Sequence, residues 1–127
     1  MTVTDLYQGQ SANISCIIQD AAGIAYAHAS IVELWAILTI TDVSGKERVY
    51  ARWSKNAKDG YKTATESVTD GKYEFLVERS ESKLFPSTGR VFIEVTAKLD
   101  SSLFTEEFVS IDKTLVYEMK PAKSIVI

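Results

Sequence analysis

The residue types that usually carry chemistry are few in this chain, and they are not grouped for it. One histidine is present, His28, set between Ala27 and Ala29 in a segment that reads as loop. A metal site or a catalytic triad needs histidine with partners at defined spacings, and none stands near it. His28 therefore reads as a surface or structural residue. The single cysteine, Cys16, excludes an internal disulfide and a cysteine-based zinc site. Within Ile14-Ser15-Cys16-Ile17-Ile18 it reads as a small core hydrophobe, with a reactive or intermolecular thiol as the alternative.

Carboxylates number 17, enough for chance pairs. Glu106-Glu107 and Asp42/Glu47 are the nearest candidates for acid–base work. Adjacent residues on a strand point to opposite faces, however, whereas glycosidase chemistry needs two carboxyls facing one cleft. Solvated strand faces explain them better. Asp59 and Asp70 could meet a calcium ion from loops, but without the spacing of an EF-hand. No HExxH, GxSxG, P-loop or GxGxxG segment is present. The expectation is a protein that is not an enzyme, with no cofactor and no metal.

Trp35, Trp53, Tyr50 and Tyr61 could form a stacking platform for sugars. Trp35 lies in the most apolar stretch and reads as core. Trp53, between Arg52 and Ser54 at a strand end, reads as the better candidate for an exposed or interface residue. Asn13-Ile14-Ser15 is a glycosylation sequon, with no secretion signal to give it meaning.

The elements that must position these residues are strands. Val91, Ile93, Val95, Ala97 and Leu99 alternate with Phe92, Glu94, Thr96 and Lys98, the period-two pattern of a half-buried strand. Tyr73, Phe75 and Val77 repeat it, as do Leu115, Tyr117 and Met119, and more briefly Ile14, Cys16 and Ile18. Ile31 to Thr41 is rich in β-branched and aromatic residues and apolar on both faces, so it reads as a long strand that is central or covered. Val43-Ser44-Gly45-Lys46 reads as a hairpin turn, and Asp59-Gly60 and Asp70-Gly71 as further turns. A short helical turn is expected over Glu81 to Phe85, capped by Ser80 and stopped before Pro86.

The chain has 127 residues, 46% hydrophobic and 24% charged, which suits one globular domain spanning 1–127. A formal net charge of −3, with scattered lysines and arginines, gives no basic patch for nucleic acid. Neither a signal peptide nor a membrane-spanning segment is expected, so synthesis in a cytoplasm follows. Recurrent strands between turn signals predict an all-β antiparallel sandwich of about 7–9 strands. Periodicity does not give strand order, so it leaves an immunoglobulin-like sandwich and a jelly roll both open.

One resemblance bears on this choice. Tyr7-Gln8-Gly9-Gln10-Ser11-Ala12-Asn13-Ile14, followed by Ile17-Ile18-Gln19-Asp20-Ala21-Ala22-Gly23, resembles the start of the immunoglobulin-like N-terminal domain of siphophage upper baseplate proteins and related tail and head attachment proteins. Gly71-Lys72-Tyr73-Glu74-Phe75 and Gly89-Arg90-Val91-Phe92-Ile93-Glu94-Val95 are similar to its later strands. Gln10 stands where that family usually carries an acidic residue. The resemblance covers about the first hundred residues and implies an immunoglobulin-like fold. It also implies a non-enzymatic virion structural protein of a tail, baseplate, neck or capsid decoration, assembling with subunits of the same particle as a homo-oligomer or on a scaffold. The alternative is a stand-alone module that binds carbohydrate or protein.

For assembly, the expected interface residues are Trp53, Phe92, Phe104, Phe108, Ile125, Val126 and Ile127. The competing reading is that the phenylalanines fill the domain's own core. Residues 121–127 follow the last clear strand and end in three apolar β-branched residues. They are expected either to pack in cis or to dock or exchange with a neighbour.

Overall fold

The computed structural model describes residues 4–100 and 108–121, the side chains at 4, 100 and 108–111 excepted. Two sheets pack face to face as an all-β sandwich. The strands are β1 (Thr4–Tyr7), β2 (Ala12–Ile17), β3 (Ile31–Thr41), β4 (Glu47–Ser54), β5 (Lys62–Thr63), β6 (Thr65–Glu66), β7 (Lys72–Val77), β8 (Gly89–Asp100) and β9 (Phe108–Lys120). One sheet has the order β1-β9-β8-β3-β4-β5, the other β2-β7-β6. All neighbours are antiparallel except β1 on β9 and β5 on β4.

The alternating runs become the facing layers of the core. Val91, Ile93, Val95, Ala97 and Leu99 of β8 are buried, as are Leu34, Ala36, Leu38 and Ile40 of β3. Ile14 and Cys16 of β2, with Tyr73, Phe75 and Val77 of β7, close on them from the other sheet. Ile31–Thr41 forms a single strand between β4 and β8, as its two-faced apolar pattern predicts. β-branched residues at 31, 32, 37, 39, 40 and 41 suit the pleat better than the crowded turns of a helix.

Trp53 is a correction to the sequence reading. It is fully buried, with its ring 5.6 Å from that of Phe75 and its indole N–H donating to the Leu76 carbonyl at 3.2 Å. Its register opposite Ala36 fixes this, because Ala36 points into the core and Trp53 must share that face. The small alanine leaves the volume that the indole fills. Trp35 is the reverse correction: it faces outward, half-buried, with Lys58 and Lys98 over its ring at 5.7 and 5.4 Å.

The turns follow residue chemistry. Asp20-Ala21-Ala22-Gly23-Ile24 and Asp42-Val43-Ser44-Gly45-Lys46 adopt the same loop. In each, the aspartate Oδ1 accepts the backbone N–H two and four residues on, and the glycine N–H bonds back to the aspartate carbonyl. The second loop joins β3 to β4 as the expected hairpin. The helical turn is α1 (Arg79–Ser82), and its N-cap is Glu78 rather than the expected Ser80. Glu78 and Glu81 bond reciprocally to each other's backbone in a capping box, which a serine at 80 sits too late to supply. Ser82 then donates to the Gln10 carbonyl at 2.8 Å, and Gln8 to the Phe85 carbonyl at 2.8 Å, so α1 holds the β1–β2 turn.

Candidate functional site: the outward face of the larger sheet

The side chains on the far side of the six-stranded sheet are set by the register, since residues opposite one another share a face. Val49 of β4 lies opposite Thr39 of β3, Thr39 opposite Phe92 of β8, and Phe92 opposite Val116 of β9. A row of largely apolar side chains therefore crosses four strands. Val49 is 44% exposed, Val116 is 39% exposed, and Phe92 is half-buried between them.

Two polar rows flank it. On the side of the β3–β4 hairpin run Glu47, Thr41, Arg90 and Glu118; on the other side run Arg52, Ile37, Glu94 and Thr114. A β-bulge at Leu38/Thr39 shapes this pattern. The extra residue, Tyr50, packs edge-on to Phe85 with ring centroids 5.3 Å apart. That leaves Val49 and Arg52 both on the outer face, where strict alternation would separate them. Glu47, Arg52, Arg90 and Glu94 take part in none of the ion pairs found among the described residues, which are Lys55–Glu66, Lys62–Glu81, Lys98–Glu33 and Lys120–Glu118.

At the hairpin end the face opens into a groove of about 770 Å³ lined by Thr41, Val43, Arg90, Phe92, Glu118 and Pro121, among others. Val43 at the hairpin tip is 86% exposed. Pro121, the last described residue after β9, lies at the edge of this groove.

Of the seven interface residues expected from sequence, the structure places Phe92 at the centre of the outward face and Trp53 in the core. Phe108 begins β9, with its side chain not described; Phe104, Ile125, Val126 and Ile127 lie outside the described residues. Val49, Val116 and Ile37 are surface partners that residue-by-residue inspection misses. The two-faced apolar pattern of 31–41 signalled Ile37, whereas Val49 and Val116 lie on other strands and carry no such local signal.

The other candidates have structural partners. The Nε2 of His28 donates to the Ser67 carbonyl at 2.8 Å. Its ring meets the Tyr73 ring edge-on at 4.9 Å. Lys55 donates to the carbonyls of His28 and Ile31, both at 2.6 Å, and pins the 3-10 turn His28–Ser30 to the end of β3. Burial pushes the Cys16 thiol up to about 11, against a smaller opposing pull from Lys113, which keeps it a thiol and a poor nucleophile. Asp42 is committed to its turn, where hydrogen bonds from Ser44 and Lys46 hold its carboxyl below the usual range. Trp35 and Tyr61 are linked through Lys58, whose ammonium is 5.7 and 4.7 Å from the two rings, while Tyr50 and Trp53 face elsewhere. The four aromatics do not form one platform.

Among the described residues no three His, Cys, Asp or Glu side chains group where they could hold a metal ion, and no helix is long and apolar enough to cross a membrane. No family model matches the chain, and no curated protein matches it.

Proposed function

We propose that this domain is a non-enzymatic assembly module, a structural component of a bacteriophage particle that works by contact between subunits. One observation carries the assembly reading. The sandwich fills its core from the inner faces of both sheets, yet the outer face of the larger sheet carries a further apolar row through Val49, Phe92 and Val116. An apolar row on a sheet face adds nothing to the domain's own core. Contacts between neighbours along the row stabilise the sheet modestly, and the rest of its apolar surface leaves water only when another surface covers it.

The phage assignment rests on the resemblance in the strand-and-turn segments beginning at Tyr7, Gly71 and Gly89. The strand order supports the immunoglobulin-like part of that reading. Lettered in sequence, β9-β8-β3-β4 corresponds to the G-F-C-C′ order and β2-β7-β6 to B-E-D. β1 departs from the constant-type arrangement by lying beside β9 rather than β2.

The alternative, a stand-alone recognition module, is favoured by the Trp35–Lys58–Tyr61 cluster beside a pocket of about 230 Å³ lined by Glu33, Trp35, Asn56 and Lys58. The two readings separate in one experiment. The mass of the purified chain is measured by light scattering across concentration, and the same sample is applied to a glycan array. A defined multimer without glycan binding supports assembly. A monomer that binds glycan through Trp35 supports recognition instead.

A further inference from the structure

We infer that the partner of the outward face is a second copy of this chain, docked about a two-fold axis that runs along the row Val49–Thr39–Phe92–Val116. This inference rests on the assembly reading and specifies it.

Charge geometry selects this arrangement. Two-fold symmetry places the same patch on both partners, so the patch must complement itself. When two such faces meet about an axis lying along the central row, each strand faces its own copy and the two flanking rows exchange places. Glu47 then faces Arg52 of the second copy, and Arg90 faces Glu94; Thr41 faces Ile37, and Glu118 faces Thr114. The register that produces this arrangement is Thr41↔Glu47 and Ile37↔Arg52 between β3 and β4, with Thr41↔Arg90 and Ile37↔Glu94 between β3 and β8. Each opposite-charge pairing occurs twice by symmetry. The four residues concerned are absent from the ion pairs found within the described chain.

A two-fold parallel to the strands does the opposite. It brings β4 against β9 and sets Glu47 against Glu118 at both ends of the row. Like charges in juxtaposition oppose docking, so the charges select one axis over the other. Along the selected axis the apolar row meets itself, Phe92 against Phe92 and Val49 against Val49. Packed sheets lie about 10 Å apart, a gap that side chains of this size, meeting across the axis, span. The four-stranded width at about 4.8 Å per strand makes the contact small for a stable interface. The association should therefore depend on concentration and, through its flanking charges, on salt.

The test is charge reversal read by light scattering or sedimentation, with folding checked by circular dichroism. Arg90→Glu sets a carboxylate against Glu94 of the other copy twice per dimer and should weaken association about tenfold or more. The double variant Arg90→Glu with Glu94→Arg restores opposite charges across the same axis and should regain association. Phe92→Ser should weaken association comparably while the chain stays folded. A multimer indifferent to all three changes overturns this inference and leaves the assembly reading standing, with another surface in use. A wild-type chain that stays monomeric at every concentration overturns this inference, and the assembly reading then stands only for docking on a scaffold of other subunits.

Discussion

At the scale of the residue, position in the register outweighs chemical type. Trp53 and Trp35 lie on the same sheet, one sealed in the core and the other facing outward under two lysines. Replacing Trp53 with Ala removes a large buried ring and a hydrogen bond, and should cost about 3–5 kcal/mol in urea unfolding. Titration supplies a second prediction at this scale. Burial raises Cys16 to about 11, and burial followed by the charge of Glu66 raises Tyr73 further. Tyr117 is raised as well, by burial and then by Cys16. A group whose folded value is raised stays protonated in both states below its unfolded value, so stability is flat there. Above about pH 8.5–10 the unfolded chain ionises first, and stability should fall. Unfolding midpoints measured from pH 7 to 11 check this, and a flat profile would contradict it. Cys16 should also resist thiol reagents at pH 8 until the chain is denatured.

At the scale of the element, the alternating runs were legible because burial on one side of a sheet writes itself as period two. The core positions of β2, β3, β7 and β8 follow from sequence for that reason, and so does the β3–β4 turn at Gly45. Three features were not legible. Trp53 was misread because Arg52 and Ser54 beside it suggested an exposed strand end, and the bulge at Tyr50 that turns Val49 outward is marked by no residue type. The cap of α1 was misplaced because a Glu78–Glu81 reciprocal pair looks like ordinary surface charge. The pairing of β1 with β9 joins residues more than a hundred apart, which local pattern does not encode. Glycines carry the remaining constraint. Gly71 has φ +72°, and a Cβ there would lie 2.7 Å from the Ile18 carbonyl oxygen. Gly60 has φ +79° with nothing within 4 Å. Gly71→Ala should therefore cost about 2 kcal/mol or more, from backbone strain plus a collision with a carbonyl held in the fold. Gly60→Ala should cost only the strain, about 1–2 kcal/mol. Equal losses in thermal unfolding would contradict the contact argument.

At the scale of the whole molecule, one face of the larger sheet closes the core, and the other is proposed to join copies. What the sequence showed of this site was Phe92 and the excess apolar character of β3. The site itself is a product of register, because Val49, Phe92 and Val116 come from three strands and meet only when those strands pair. Its charges work in the same way, with no local run of either sign to announce them. The sharpest test of a paired outward face is site-specific crosslinking of Thr39→Cys with a short bismaleimide, Cys16 being buried and thus spared. Thr39 lies on the proposed axis, so a covalent dimer of twice the 14.1 kDa chain mass should form rapidly. Val68→Cys, at a fully exposed position off this face, should stay monomeric at the same concentration. If Thr39→Cys reacts with the reagent yet crosslinks no faster than Val68→Cys, the outward face does not join two copies.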